Sequence, residues 1–215
     1  MRLLTKEEAK NIVEILEEHY KDAHYYLNFS NPIELLVAAI LSPQTKDEIV
    51  NASTPELFKR FKTAKDYANA KVDDILPYVS KVNFARRKVE MIIKAFKIID
   101  NEFNGKVPDN MNDLLKLPGV GRKTANSILI NAFNKVEGIP VDTWVLKLSY
   151  RIGFSKEKDP DLVEKDLMNL IDKKYWHNIA YVLKEHGKKI CNNIPICSQC
   201  PINNLCPKND VKKSR

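Results

Sequence analysis

The sequence predicts an all-α protein of two lobes, and three observations carry that prediction. Apolar residues recur at helical spacing in one segment after another. No convincing run alternates apolar and polar residues, and no Asn-Gly or Asp-Gly hairpin joins two strands. Glycine is scarce, with 6 in 215 residues, where average usage of about 7% would give roughly 15. Scarce glycine beside 44% apolar and 29% charged residues argues against turn-rich sandwiches and barrels, and the same numbers exclude collagen, coiled coil and gross disorder. The lack of a G-x-G-x-x-G run argues against a doubly wound nucleotide fold. A chain of this length buries roughly two-thirds of its unfolded surface and needs no staples to fold.

The helices announce their own starts. Thr5-x-x-Glu8 is a capping box, followed by Ile12, Val13, Ile15 and Leu16 at helical spacing. Asn31-Pro32, Thr54-Pro55 and Asp159-Pro160 each place a capping side chain before a proline. At the first helical position proline has no amide hydrogen to lose, so each pair predicts a helix start. Residues 85–103 carry Val89, Ile92, Ile93, Phe96, Ile99 and Phe103 on one face, and Asn104-Gly105 supplies the stop. Residues 173–186 repeat the pattern with Trp176, Ile179, Val182 and Leu183, ending at Gly187. About ten helices result, with no internal repeat, and the polar tail 208–215 is expected to fray.

The net charge of +7 makes a polyanion a reasonable partner without identifying one. Acidic residues in MRLLTKEEAK stand where a signal peptide needs an apolar core. The longest fully apolar run, Leu35 to Leu41, is far too short to span a membrane. These features predict a soluble cytoplasmic protein. In that compartment 4 Cys confined to 191–206 suggest metal rather than disulfides.

The most informative segment is 112–134. Leu114, Leu115 and Leu117 close one short helix, Pro118-Gly119-Val120-Gly121 makes a tight turn, and Ala125, Ile128, Leu129 and Ala132 open a second helix. Glycines flanking Val120 let the backbone turn sharply and approach another surface closely. The turn's amides then point outward at a positive helix end, which is an anion site. Backbone amides contact any phosphate alike, so such a turn positions a nucleic-acid strand without reading its sequence. A plain helix–loop–helix corner is the simpler alternative, but it does not explain why scarce glycine, Arg122 and Lys123 gather at one helix start.

Through L-P-G-V-G-R-K-T-A-N (117–126), V-D-T (141–143) and the terminal cysteines, the chain resembles the endonuclease III family of DNA glycosylases in the helix-hairpin-helix superfamily. The resemblance implies that Lys123 is a nucleophile and that Asp142 assists it. Two physical arguments agree. Lys123 lies in the first turn of a helix, where the dipole disfavours its ammonium, and Arg122 pushes the same way, so more free amine is expected. Read alone, Lys123 is equally one more cation on a phosphate-binding helix end, and Asp142 the N-cap of a helix holding Val145, Leu148 and Ile152. Capping and catalysis are compatible.

The cysteines read Cys191-x5-Cys197-x2-Cys200-x5-Cys206. Four thiolates so close in sequence can wrap one metal centre, and by spacing alone a four-cysteine zinc site is a full alternative. The resemblance implies a 4Fe-4S cluster, although the family's first gap usually holds six residues and this one holds five. Either metal would fix the loop 192–205, which has little apolar material. Lys184, Lys188 and Lys189 just before it are either phosphate contacts or solvated.

A damaged base is reached by extruding its nucleotide, and something must fill the gap. Gln44, in Leu41-Ser-Pro-Gln-Thr-Lys-Asp, resembles the family's inserting glutamine; its plain alternative is a helix cap. Phe84, in Val82-Asn-Phe-Ala-Arg-Arg-Lys, sits where a relative has an apolar wedge; its alternative is a core position. Lys81, Arg86, Arg87 and Lys88 around it suit a loop that clamps the DNA backbone. His19, His24, His177 and His186 form no ligand spacing and are expected at the surface or in caps. Trp144 stands where the family often has histidine after V-D-T, so substrate preference does not transfer directly.

Together these readings predict one lobe at 25–136 containing the hairpin, and a second from 1–24 plus 137–215 containing the cluster, with Lys123 and Asp142 on opposite sides of the boundary. The expected function is bifunctional base excision: removal of oxidised pyrimidines from duplex DNA, then cleavage of the abasic site by β-elimination, by a monomer. A monofunctional mismatch glycosylase is the enzymatic alternative, against which Lys123 speaks. A non-catalytic DNA-binding iron–sulfur module is the alternative of another class.

Overall fold

The computed structural model describes residues 1–215 and contains eleven α-helices, three short 3-10 turns and no strand. Helix α1 (Lys6–His19) starts at Thr5 with the full capping box: the Thr5 hydroxyl accepts from the Glu8 amide, and the Glu8 carboxylate accepts from the Thr5 amide. Helix α2 (Pro32–Leu41) starts with Asn31 accepting from the Glu34 amide at 3.0 Å and Pro32 at the first position.

Helix α3 (Asp47–Arg60) departs from the expected pattern. Pro55 lies inside it rather than at a start. An interior proline removes one ladder hydrogen bond, at a cost of about 3 kcal/mol. Val50, Thr54 and Leu57 are all buried, and packing that single face keeps the helix continuous through the proline. Helices α4 (Ala64–Asn69) and α5 (Val72–Ile75) follow, and α5 runs into a 3-10 turn at Leu76–Val79. Helix α6 (Ala85–Glu102) buries Val89, Ile92, Ile93, Phe96 and Ile99 and ends at left-handed Asn104 and Gly105. Helices α7 (Met111–Leu114) and α8 (Arg122–Phe133) form the hairpin.

Helix α9 (Thr143–Ile152) is capped by Asp142, and α10 (Pro160–Leu170) by Asp159 with Pro160 at its first position. The segment expected to be one helix at 173–186 is instead a 3-10 turn, Lys173–Tyr175, followed by α11 (Ile179–Lys189). Gly187 does not stop α11. It is an interior glycine whose missing side chain makes room for Trp144: a Cβ there would lie 2.4 Å from Trp144 Cε3.

The chain divides into two compact units, Tyr26–Glu137 and Met1–Tyr25 with Gly138–Arg215. In the first, α2 is the central rod, with Leu35 to Leu41 all buried among α3, α6 and α8. Tyr67 of α4 stacks on Phe96 of α6 with ring centroids 4.7 Å apart. In the second, α1, α9, α10 and α11 meet around Ile12, Leu16, Val145, Leu148, Leu167, Val182 and Leu183.

The tail is not frayed. Asn209 is buried, its amide nitrogen donating to the carbonyls of Arg2 (2.8 Å) and Tyr150 (3.1 Å) while its oxygen accepts from the Arg2 amide (2.9 Å). Further on, Arg215 donates its amide to the Pro195 carbonyl and accepts from the Ser198 amide. A polar tail therefore holds because its polar groups pair with backbone carbonyls and amides of the rest of the unit. No helix is long and apolar enough to cross a membrane.

Candidate functional site

In the hairpin, Leu114 and Leu117 are buried while Leu115 is exposed. Val120, also buried, donates its amide to the Leu117 carbonyl at 3.1 Å, closing the turn. The two glycines beside it serve different purposes. Gly119 sits at φ +85°, and a Cβ on it would come within 3.1 Å of Ile40 and 3.4 Å of Met91. Both backbone conformation and packing demand glycine there. Gly121 has φ −99° and ψ 178°, which any residue adopts, and a Cβ on it would meet nothing within 4 Å. The fold does not require glycine at 121.

Gly121 is the N-cap of α8. No side chain caps that end and no acidic residue lies in its first turn, unlike the ends covered by Thr5, Asn31, Asp142 and Asp159. The first α8 hydrogen bond is from the Ala125 amide to the Gly121 carbonyl at 2.9 Å, so the amides before Ala125 face outward. Arg122 is half-buried and Lys123 exposed on this open turn, which gives an anion site with an accessible amine beside it.

Asp142 is the N-cap of α9, as its plain reading expected. Its Oδ1 accepts from the amides of Trp144 at 2.9 Å and Val145 at 2.8 Å. Neither bond uses Oδ2. Half-buried Trp144 lies flat on Gly187 of α11, with the Lys147 ammonium 5.3 Å from its ring centroid.

Gln44 and Phe84 are both exposed, and both have left-handed backbones, with φ 57° and 58°. Phe84 is 66% exposed and thus no core residue, and Gln44 caps nothing, since the N-cap of α3 is Lys46. Lys81, Arg86 and Arg87 are exposed, as a backbone clamp requires, but Lys88 is not. It is 6% exposed. Its Nζ donates to the carbonyls of Leu41 (2.7 Å) and Pro43 (2.5 Å) and to Thr45 Oγ1 (3.0 Å). Burial pulls its ammonium down to about 8. The expectation that it faces phosphate fails because the Cα of Lys88 lies on the inward face of α6, beside buried Val89 and Ile92.

Cys191, Cys197, Cys200 and Cys206 are free thiols that line one cavity with Arg151, His186 and Lys208. No three ligating side chains converge tightly enough for a single metal ion. Donors already point at the sulfurs: Arg151 Nη1 lies 3.6 Å from Cys191 Sγ, and the amides of Ile202 and Lys208 bond Cys200 and Cys206. Burial pushes the Cys200 thiol up to about 11 and raises Cys191 and Cys206 as well. Such thiols ionise readily only when a metal compensates the charge.

His186 was expected at the surface or in a cap. It is instead 1% exposed, with Nδ1 2.9 Å from Tyr20 Oη and Nε2 3.8 Å from Cys200 Sγ. The helical spacing Ile179, Val182, Leu183, His186 places it on the buried face of α11 and was the available signal.

Residues 37–173 match the family model described as HhH-GPD superfamily base excision DNA repair protein. An endonuclease III of Synechocystis sp. is 42% identical over 186 residues, covering 86% of this chain and 85% of that protein. A non-covalent endonuclease III–DNA complex superposes with a TM-score of 0.90 at 35% identity, covering 96% of this chain and 97% of the other. A trapped endonuclease III–DNA covalent intermediate gives a TM-score of 0.90 at 36% identity over the same shares.

Proposed function

The chain belongs to the endonuclease III family within the HhH-GPD superfamily of base excision repair proteins, and we propose that it removes oxidised pyrimidines from duplex DNA and cleaves the resulting abasic site through Lys123. It is a DNA glycosylase with abasic-site lyase activity. The observation that carries the site assignment is the open end of α8, where an uncapped helix N-terminus and an exposed Lys123 stand together beside a glycine the fold itself does not need.

The chemistry follows from those groups. Amides of the open turn hold a phosphate of the damaged strand. The Lys123 amine attacks C1′, forming a C1′–N bond as the glycosidic bond breaks and its electron pair leaves with the base, which takes up a proton. Opening of the sugar ring gives a protonated Schiff base. Loss of the C2′ proton then lets the C3′–O bond break, with the electron pair leaving on the 3′ phosphate, and water releases the sugar and restores the amine. Asp142 is the carboxylate that stabilises positive charge developing on the sugar or carries a proton. Its cap bonds fix Oδ1 and leave Oδ2 for that work. Gln44 and Phe84 fill the space left by the extruded nucleotide.

Cys191, Cys197, Cys200 and Cys206 hold a 4Fe-4S cluster. An all-thiol donor set with N–H groups aimed at sulfur supports it. The cluster's contribution is to cross-link the loop between α11 and the tail. The enzyme works as a cytoplasmic monomer on chromosomal DNA.

Borohydride trapping on a panel of lesion-bearing and abasic duplexes tests the assignment. The wild type forms a covalent adduct, and Lys123→Ala forms none. An adduct with Lys123→Ala refutes the nucleophile. Excision without any adduct in the wild type favours the monofunctional alternative.

A further inference from the structure

We propose that Lys88 is a positioning residue, a buried ammonium that locks the loop carrying Gln44 to the loop carrying Phe84 so that both side chains are presented to DNA as one preformed unit. This rests on the reading of Gln44 and Phe84 as the residues that enter the duplex.

The two loops are joined by a small polar network. Lys88 Nζ has three donors and meets three acceptors, the Leu41 and Pro43 carbonyls and Thr45 Oγ1. Those acceptors bracket Gln44 on both sides. Thr45 Oγ1 also accepts from the Asn83 amide at 3.2 Å, and the Asn83 side chain donates to the Gln44 carbonyl. The Lys88 amide donates to the Phe84 carbonyl at 3.1 Å. One residue therefore holds one loop by its side chain and the other by its backbone.

The network has a purpose that packing alone lacks. Gln44 and Phe84 each occupy left-handed backbone, which is strained for a non-glycine residue and persists only where the surroundings fix it. Both side chains stand in solvent, so no packing of their own pays that cost. Fixing them before DNA arrives removes an ordering penalty from the extruded state.

A phosphate contact and a positioning residue leave different signatures. Removing a phosphate contact lowers the salt slope of binding by roughly 0.9. Lys88→Met should leave that slope at its wild-type value, while Arg87→Ala lowers it. Lys88→Met should slow single-turnover base excision by about tenfold, equivalent to one lost well-formed contact. Its loss in nicking at a preformed abasic site should be clearly smaller, because no base has to be extruded there. Lys88→Arg should recover part of the excision rate.

Should Lys88→Met fail to fold, Thr45→Val removes the shared acceptor with Lys88 intact and should slow excision in the same pattern, with Thr45→Ser restoring it. A reduced salt slope in Lys88→Met, or equal losses in excision and nicking, overturns the proposal. So does a Thr45→Val enzyme that excises at the wild-type rate. Failure of the underlying reading is separate: Gln44→Ala and Phe84→Ala would then excise damaged bases normally.

Discussion

Two glycines one residue apart should respond in opposite ways to the same added methyl group. In Gly119→Ala the new Cβ enters at φ +85° and 3.1 Å from Ile40 Cγ2. A left-handed alanine costs roughly 1–2 kcal/mol, and the crowding brings the expected destabilisation to about 2 kcal/mol or more. In Gly121→Ala the backbone is already extended and the Cβ meets only open space. Alanine is the poorer N-cap by up to ~1 kcal/mol, and the unfolded chain loses freedom worth about 0.4–1 kcal/mol in the other direction. The two effects oppose each other, so stability should stay within about 1 kcal/mol of wild type, with little or no destabilisation. DNA binding should move the other way. A methyl group on the open end of α8 stands where a phosphate must meet backbone amides, and a loss of about 1.4 kcal/mol corresponds to tenfold weaker binding. Urea unfolding measures the first effect. Anisotropy titration of a duplex bearing a stable abasic analogue, at one fixed salt concentration, measures the second. If Gly121→Ala binds that duplex as tightly as wild type, DNA does not touch this turn. If it unfolds as easily as Gly119→Ala, the fold needs glycine at 121 after all.

The remaining expectations concern Asp142 and the cysteines. Asp142→Asn keeps an oxygen for the Trp144 and Val145 amides. It should unfold within about 0.5 kcal/mol of wild type, while turnover falls by two orders of magnitude or so. Asp142→Ala should add a cap loss of about 1 kcal/mol, and an Asn variant with normal turnover would leave Asp142 a cap alone. The purified protein should be brown and contain iron; a colourless, zinc-containing protein refutes the cluster. Removing the metal should open the segment between Cys191 and Cys206 to proteases, since its thiols, raised by burial, return to the neutral form and release the cross-link.

Legibility of the sequence followed the range of the interaction. Thr5, Asn31 and Asp159 marked helix starts because a cap and its amides lie within a few residues of each other. The hairpin was visible for the same reason, and the cysteine cluster because its four thiols share one short segment. Pro55 misled because burial of Val50 and Leu57, a tertiary effect, overrides the local signal. Gly187 misled because its partner, Trp144, lies on another helix. Lys88 and Asn209 differ from expectation for one reason: a charged or polar side chain reads as solvated unless the distant carbonyls it serves are known, and those belong to Leu41, Pro43, Arg2 and Tyr150. His186 had a periodicity that pointed inward, and its polarity outweighed it.

The unit that carries the cysteines is assembled from both ends of the chain, and that has a consequence for synthesis. Helices α2 to α8 emerge as one uninterrupted stretch and can fold as they leave the ribosome. Helix α1 cannot, because its partner α11 begins only at Ile179, long after α1 ends at His19. At roughly 5–20 residues per second, α1 spends ten seconds or so with Ile12, Val13 and Leu16 uncovered. The four cysteines are later still, so the hairpin is made before any of their thiols is available.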